Sequence, residues 1–510
     1  MNLFRYSILS LFVFTYLLGI DIKGDPKSWE KDHFLGFDLI GDSNFETGDI
    51  SSVFAKVDNQ NIFFRITFDD MFSRSNKEDL FENQDITARI IVSERDVEII
   101  NQFIDIGLIS KSDDFYEFLR TPNYNLIEFR FECPQGLDRK DLSFNVQIFN
   151  QTQVIDEYVA YGSNDYRGGN AAFIHHGNQG LTYSEVFYGQ EPLESSGFDE
   201  ILEIHQATGI PGNFHLSGTL MPAAEWHNPE FNDWLSSGVN DGYVAMMTSA
   251  LGQHMMPFVT NDMNNWSVSI ETDMVEYMYG YSPKVAWVPE RVWLSPGVYP
   301  DAGVIDWIGD NWHEHGVEAV VLDDYIHCPG ADNKKIHYMN NDDGINLRII
   351  PIDNDFVGMM HYDVDAAKNH ISSTGQYGIT VYGTDWEVAA EMNEHHETSF
   401  LDNYENVLWF SYDNFPAVNI WKLDAALYNS DFNGSGIDVQ NGTYGLLGGS
   451  DGYGGGNNSW YTNWAATGSH SDFHDPQWNY GTVWNDAYNN LMSAPNNSLS
   501  QLGWYTLMIN

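Results

Sequence analysis

Apolar and polar residues alternate along IFFRITF (62–68), ITARIIV (86–92), IEFRFE (127–132) and LSFNVQIF (142–149), with polar turns between the runs. A period of two, carried by Phe, Ile, Val and Thr, marks strands with one buried face. The pattern predicts a β-rich N-terminal domain over residues 25–160, built as an antiparallel sandwich.

After Tyr161-Gly162-Ser163 the texture changes. Short, mostly apolar runs now recur: AFIHH (172–176), GNFHLSG (212–218), GYVAMMT (242–248), VAWVPE (285–290), AVVLDD (319–324), RIIPID (348–353) and ITVYGTD (379–385). Amphipathic stretches fall between most of them, around 198–208, 299–315, 364–373 and 386–407. Strands alternating with helices predict a parallel sheet with helical crossovers. Seven such units are one short of the usual closed barrel. The expected fold class is therefore α/β: an incomplete (β/α)7 barrel over residues 161–426, preceded by the all-β domain.

Residues 427–510 are rich in Gly, Asn and Ser and are expected to form a loop region and a C-terminal segment. Within them Asp431, Asn433 and Ser435 alternate, and Gly436 and Asp438 follow, as in part of a calcium loop. The position expected to carry a bidentate Glu is Gly442, so an Asn/Gly turn is the simpler expectation. The run LGWYTLMIN at 502–510 has no terminating signal, as in a chain that continues.

Charge narrows the partners. Lys and Arg number 23 against 73 Asp and Glu, a formal net charge of −50. Such a surface repels nucleic-acid backbones and anionic lipid, and fits a neutral or cationic substrate or salty surroundings. The first 24 residues, MNLFRYSILSLFVFTYLLGIDIKG, place one Arg before an apolar run. They are expected to be a signal peptide or N-terminal anchor, which makes the protein secreted or cell-surface. No other stretch reaches spanning length. Cys133 and Cys328 are the only cysteines, too far apart in sequence for a CxxC or zinc pattern.

The candidate chemistry lies at the strand ends. VAWVPERVWLSPG (285–297) sets Glu290 and Arg291 side by side in an apolar stretch, and VYGTDWE (381–387) sets Asp385 between aromatics. A buried carboxylate is costly unless paired. In parallel barrels the C-terminal strand ends carry the chemistry, and two carboxylates on one barrel mouth are the apparatus of glycosidic cleavage. Asp324 and Asp353 also follow strands, and the plain role for both is a helix N-cap. A cation beside Glu290 is expected to keep it ionised.

VAWVPERVW, followed about ninety residues later by VYGTDWE, resembles glycoside hydrolase family 57. The resemblance covers about residues 170–400 and is most specific at the first of these segments. It implies Glu290 as nucleophile, Asp385 as acid/base, retention of configuration and α-glucan or related α-galactoside substrates. FIHHGNQG (173–180) is similar to the family's first region, which implies that His176 and Gln179 contact substrate hydroxyls. GQHMMP (252–257), bearing His254, is similar to the second but lacks the Glu common after Gly-Gln. In the fourth region Thr384 replaces the first of a paired Asp, while Asp385 and Glu387 remain. Arg291, Trp293 and Trp386 complete the expected substrate contacts, with Arg291 also the partner of Glu290 and Trp287 assigned to packing.

Eight histidines crowd this half: His175, His176, His205, His215, His254, His313, His315 and His361. A metal site, as in the Asp-His-His triad of polysaccharide deacetylases, is the rival explanation, yet neither HExxH nor a deacetylase motif is present. The expectation is no metal and no cofactor, with neutral histidines meeting sugar hydroxyls and His205 a surface or packing residue. The leading function is a secreted retaining glycoside hydrolase on α-linked polysaccharide or oligosaccharide, of α-amylase type, whose β domain helps hold the polymer. Alternatives are a 4-α-glucanotransferase on the same site and a catalytically silent glucan-binding protein.

Overall fold

A computed structural model describes residues 22–45, 47–112, 115–164, 167–178, 186–189, 196–256, 261–293, 295, 308–340, 347–391, 398–443 and 480–509. The proposed signal or anchor segment therefore lies almost wholly outside the described residues, as does Gln179. Among the described residues no helix is long and apolar enough to cross a membrane. The chain divides into two compact units: residues 1–169 with 409–419, and residues 170–408 with 420–510.

The first unit is antiparallel. One sheet runs in the order Phe34–Phe37, Ile50–Val57, Asn61–Phe68, Leu126–Glu132, Tyr116–Thr121, Ser110–Ser112, and a second in the order Gln153–Tyr161, Leu142–Asn150, Ile86–Glu94, Val97–Asp105. In Ile86–Glu94 and Leu142–Asn150 every other residue is buried, as the alternating sequence requires. The two sheets share a core in which Phe64 of the first stacks on Phe144 of the second at 5.4 Å. The segment 409–419 joins this unit, although its sequence position falls inside the range expected for the barrel. The reason is polar. Asp413 pairs with Arg74 at 2.8 Å and accepts from Asn125 at 2.7 Å, and Asn414 accepts from Ser51 Oγ at 3.0 Å.

In the second unit seven parallel strands follow one another: Gly169–Gly177, Gly212–Leu216, Val244–Met246, Val285–Trp287, Ala319–Asp323, Arg348–Ile352 and Thr380–Asp385. The first pairs with both the second and the last. The second pairs with the third, the fourth with the fifth, and the fifth with the sixth. Two narrow links complete the circuit. Thr248 bridges to Ala286 beyond the third strand, and Asp353 N–H donates to Val381 O at 3.0 Å beyond the sixth.

One apolar cluster gathers Ala172, Ile174, Val285, Trp287, Val321, Ile350 and Val381 from strands all around this circuit. The residues alternating with them, Ala286, Val288, Val320, Leu322 and Ile349, pack in another cluster with Trp312 of the helix Ile308–Glu314. Burial on both faces is why these strands are continuous apolar runs.

The described residues of the range 427–510 are more structured than their composition suggests. Asn433–Ile437 is a strand parallel to Ile336–Met339, and Tyr480–Ser493 and Ser498–Ile509 are helices. Asp431 lies in a one-turn helix, Ser430–Phe432, while Asn433 and Ser435 lie in the strand, so the Asp-Asn-Ser alternation is not the calcium loop its spacing suggested. Asp438 accepts from Asn340 at 3.0 Å. Cys133 and Cys328 are both free thiols.

Candidate active site

Pro289 ends the fourth parallel strand, since it has no N–H to give the ladder. The next two residues, Glu290 and Arg291, have φ of 50° and 47°. Left-handed backbone at two successive non-glycine residues costs about 1–2 kcal/mol each and is characteristic of functional sites. Thr443 holds the turn by donating to Glu290 O at 2.8 Å, and Trp293 pairs with Gly442. This turn cancels the strand's alternation. The Arg291 guanidinium consequently returns over the Trp287 ring, 5.0 Å from its centroid.

Asp385 is the last residue of the seventh strand and stands in register with His176 of the first. Burial, and then the charge of Asp385, push the Glu290 carboxyl up to about 7. Arg291 acts in the opposite direction and is outweighed. Arg291 thus favours the ionised form of Glu290, as expected of a neighbouring cation, without setting the outcome. The Arg291 Nε also lies 3.1 Å from Asp323 Oδ2, at the end of the fifth strand.

His176 lies flat between two rings, 4.8 Å from His215 and 4.5 Å from Trp287. Its Nδ1 is 2.8 Å from His215 Nδ1, and His215 Nε2 is 2.6 Å from Glu271 Oε1. Burial, with His215 and Arg291 adding to it, holds His176 well below the usual imidazole range, so it is neutral. His215 Nε2–H donates to the Glu271 carboxylate, and of the two Nδ1 atoms one donates to the other. That leaves His176 Nε2 to meet a substrate hydroxyl, which can donate or accept as the tautomer requires.

Glu271 and His215 were not singled out as site residues by sequence reasoning, though a signal for Glu271 existed. On the helix Asn261–Tyr279 it shares the buried stripe of Asn264, Val268 and Val275. A carboxylate on an inward stripe needs a partner.

The remaining expected contacts divide. His254 is buried, which lowers its pKa, and its Nε2 meets Asn264 Oδ1 at 2.9 Å. Trp293 is 1% exposed within the apolar cluster around Trp312, and Trp386 is 0% exposed and stacked on Phe198 at 4.5 Å. Neither indole offers a free face to a sugar ring, so both are corrected from substrate contacts to packing. Trp287, assigned to packing, is buried as well, but it supports both His176 and Arg291. His175 and His205 both bond the Tyr404 hydroxyl, at 2.8 and 2.6 Å, so His205 is a core residue. Asp353 caps the helix Asn354–Tyr362 and also pairs with His370 at 2.8 Å. Among the described residues of this unit no three metal-ligating side chains converge.

The model of glycosyl hydrolase family 57 matches residues 111–408, more than half of the chain. A 4-alpha-glucanotransferase from Thermococcus litoralis is 26% identical over 180 residues, 35% of this chain and 25% of that protein. An alpha-amylase from Dictyoglomus thermophilum is 23% identical over 146 residues, 28% of this chain and 20% of that protein. The alignments thus span about a quarter or less of these curated relatives. Among solved structures, a family 57 branching enzyme from Thermococcus kodakaraensis superimposes with a TM-score of 0.47 and 13% identity, covering 67% of this chain and 84% of that chain.

Proposed function

We propose, for a chain that belongs to glycosyl hydrolase family 57, a retaining cleavage of α-linked glucan by Glu290 and Asp385. In this reading the seven parallel strands are an incomplete (β/α)7 barrel and the site is its C-terminal mouth. The observation that carries the reading is the approach of the two carboxyls, close enough for the charge of Asp385 to add to the burial that raises Glu290 to about 7. A pair that holds one proton below that pH has what double displacement needs: one carboxylate to attack and one carboxyl to give.

On substrate binding the shared proton moves from Glu290 to Asp385; Glu290, now the carboxylate, attacks the anomeric carbon as that proton passes to the departing glycosidic oxygen. Asp385 then takes a proton from water, whose oxygen displaces Glu290 and restores the carboxylate with net retention. Arg291 and Trp287 position the turn that bears Glu290. His176 Nε2 hydrogen-bonds a ring hydroxyl.

Transfer to a sugar hydroxyl in place of water is the second reading, favoured by the similarity to a 4-alpha-glucanotransferase. Incubation with soluble starch and with maltooligosaccharides separates the two. Net shortening supports hydrolysis, redistribution into longer and shorter chains supports transfer, and no turnover of either sinks both. Export completes the proposal, with residues 1–24 as its signal or anchor. An N-terminal sequence from secreted or surface material that still begins at Met1 without membrane attachment would refute it.

A further inference from the structure

In the first unit, aspartates from three places in the chain converge. Asp38 follows the strand Phe34–Phe37, Asp42 lies in the next turn, and Asp156 sits inside the strand Gln153–Tyr161. Each offers one oxygen, and the three oxygens lie within 4.8 Å of one another. Two oxygens on opposite sides of a calcium ion, each at about 2.4 Å, are that far apart.

Asp49, just before the strand Ile50–Val57, adjoins them. Its Oδ2 accepts from Gly41 N–H at 2.6 Å, next to Asp42, while Ile50 N–H donates to Asp156 Oδ2 at 2.6 Å. Asp49 is only 8% exposed, yet its Oδ1 has no partner. Oδ2 of Asp38 is buried and unpartnered as well. Buried acceptors left open are costly, and native folds rarely keep them. Among the described residues no Lys, Arg or His is ion-paired with any of the four.

A chain with a net charge of −50 carries many acidic groups that need no ion. Here Asp38, Asp42 and Asp156 converge from distant parts of the chain, Asp49 adjoins them, and two buried oxygens, one each on Asp38 and Asp49, are unused. We propose that Asp38, Asp42, Asp49 and Asp156 bind a calcium ion. All-oxygen ligation by carboxylates suits a hard cation, and calcium tolerates an irregular shell of 6–8 ligands completed by water. The exposed Asp42 gives the ion its route in. Bound there, it ties a strand of the four-stranded sheet to the turn between two strands of the six-stranded sheet, and so stabilises this unit. Protons are the competing counter-charge, since burial and the neighbouring carboxylates push Asp38 up to about 8.

The test uses the full chain, stripped with chelator and dialysed against calcium chloride in concentrated potassium chloride to suppress diffuse surface binding. Asp42→Asn, an exposed change that leaves the fold undisturbed, and Asp49→Asn are run beside the parent. The proposal expects the parent to take up one more calcium than either variant. It also expects calcium to raise the parent's thermal midpoint by a few degrees, with magnesium much weaker and the variants unresponsive. Equal uptake by parent and variants, or equal midpoint shifts with magnesium and calcium, would overturn it.

Discussion

Asp385 presses on Glu290: after burial, its charge is the main reason the Glu290 carboxyl stands near 7 instead of at its ordinary 4.5. The two residues come from the fourth and seventh strands, almost a hundred positions apart. Their coupling is the feature on which the functional account turns.

The pH dependence of activity follows from it. Below about 7 the pair holds one proton; above it both carboxyls are charged and none is left for the departing oxygen. kcat/KM should therefore fall about tenfold per pH unit above 7. Asp385→Asn, assayed on an α-glucosyl fluoride that needs no protonation, should lose this alkaline limb. Removal of the neighbouring charge should also place the ionisation of Glu290 below 7. A limb unmoved in the variant would show that another group sets it.

Stability should respond to pH in the same direction, over a lower range. Because folding raises the Glu290 carboxyl, the folded state binds the extra proton, and stability falls as pH rises from 4.5 to about 7. The full effect is at most about 3 kcal/mol. Glu290→Gln should remove most of it, leaving a variant inactive yet more stable than the parent at pH 8. Denaturant melts at pH 5 and pH 8 measure the difference, and a variant less stable at both pH values would contradict the burial argument.

The chain from Glu271 through His215 to His176 predicts a graded response. Glu271→Gln keeps an acceptor for His215 Nε2–H and should retain most activity. Glu271→Leu removes it, frees the tautomer of His176, and should lower kcat/KM about tenfold or more. Equal thermal midpoints in the two variants with equal activities would reduce the relay to packing.

Trp386 should behave as core. Trp386→Ala is expected to cost about 3–5 kcal/mol of stability by opening a cavity beside Phe198. KM for maltooligosaccharides, measured well below the melting range, should stay within about twofold. A large KM change with little loss of stability would return the indole to a sugar subsite.

Much of this was legible in the chain. The apolar runs from 172 to 385 mark strands because both of their faces are buried, and their acidic ends stand out against that background. What sequence reasoning missed depends on side-chain direction and distant packing. Proximity to the strand-end acids suggested Trp293 and Trp386 as contacts, but adjacency in sequence does not fix which way an indole points. Arg291 looked like the partner of Glu290 because they are neighbours, whereas two left-handed residues turn it toward Trp287 and Asp323. The strand Asn433–Ile437 lies hidden in Gly and Asn, residues that favour turns, because it borrows its pairing from Ile336–Met339.

The most direct test is proton NMR of the first product released from a maltooligosaccharide, with Glu290→Gln in parallel. The account predicts an α-anomeric signal that appears before mutarotation in the parent and no product from a folded variant. A β-anomer appearing first, or cleavage that persists in Glu290→Gln, would contradict a retaining mechanism through Glu290.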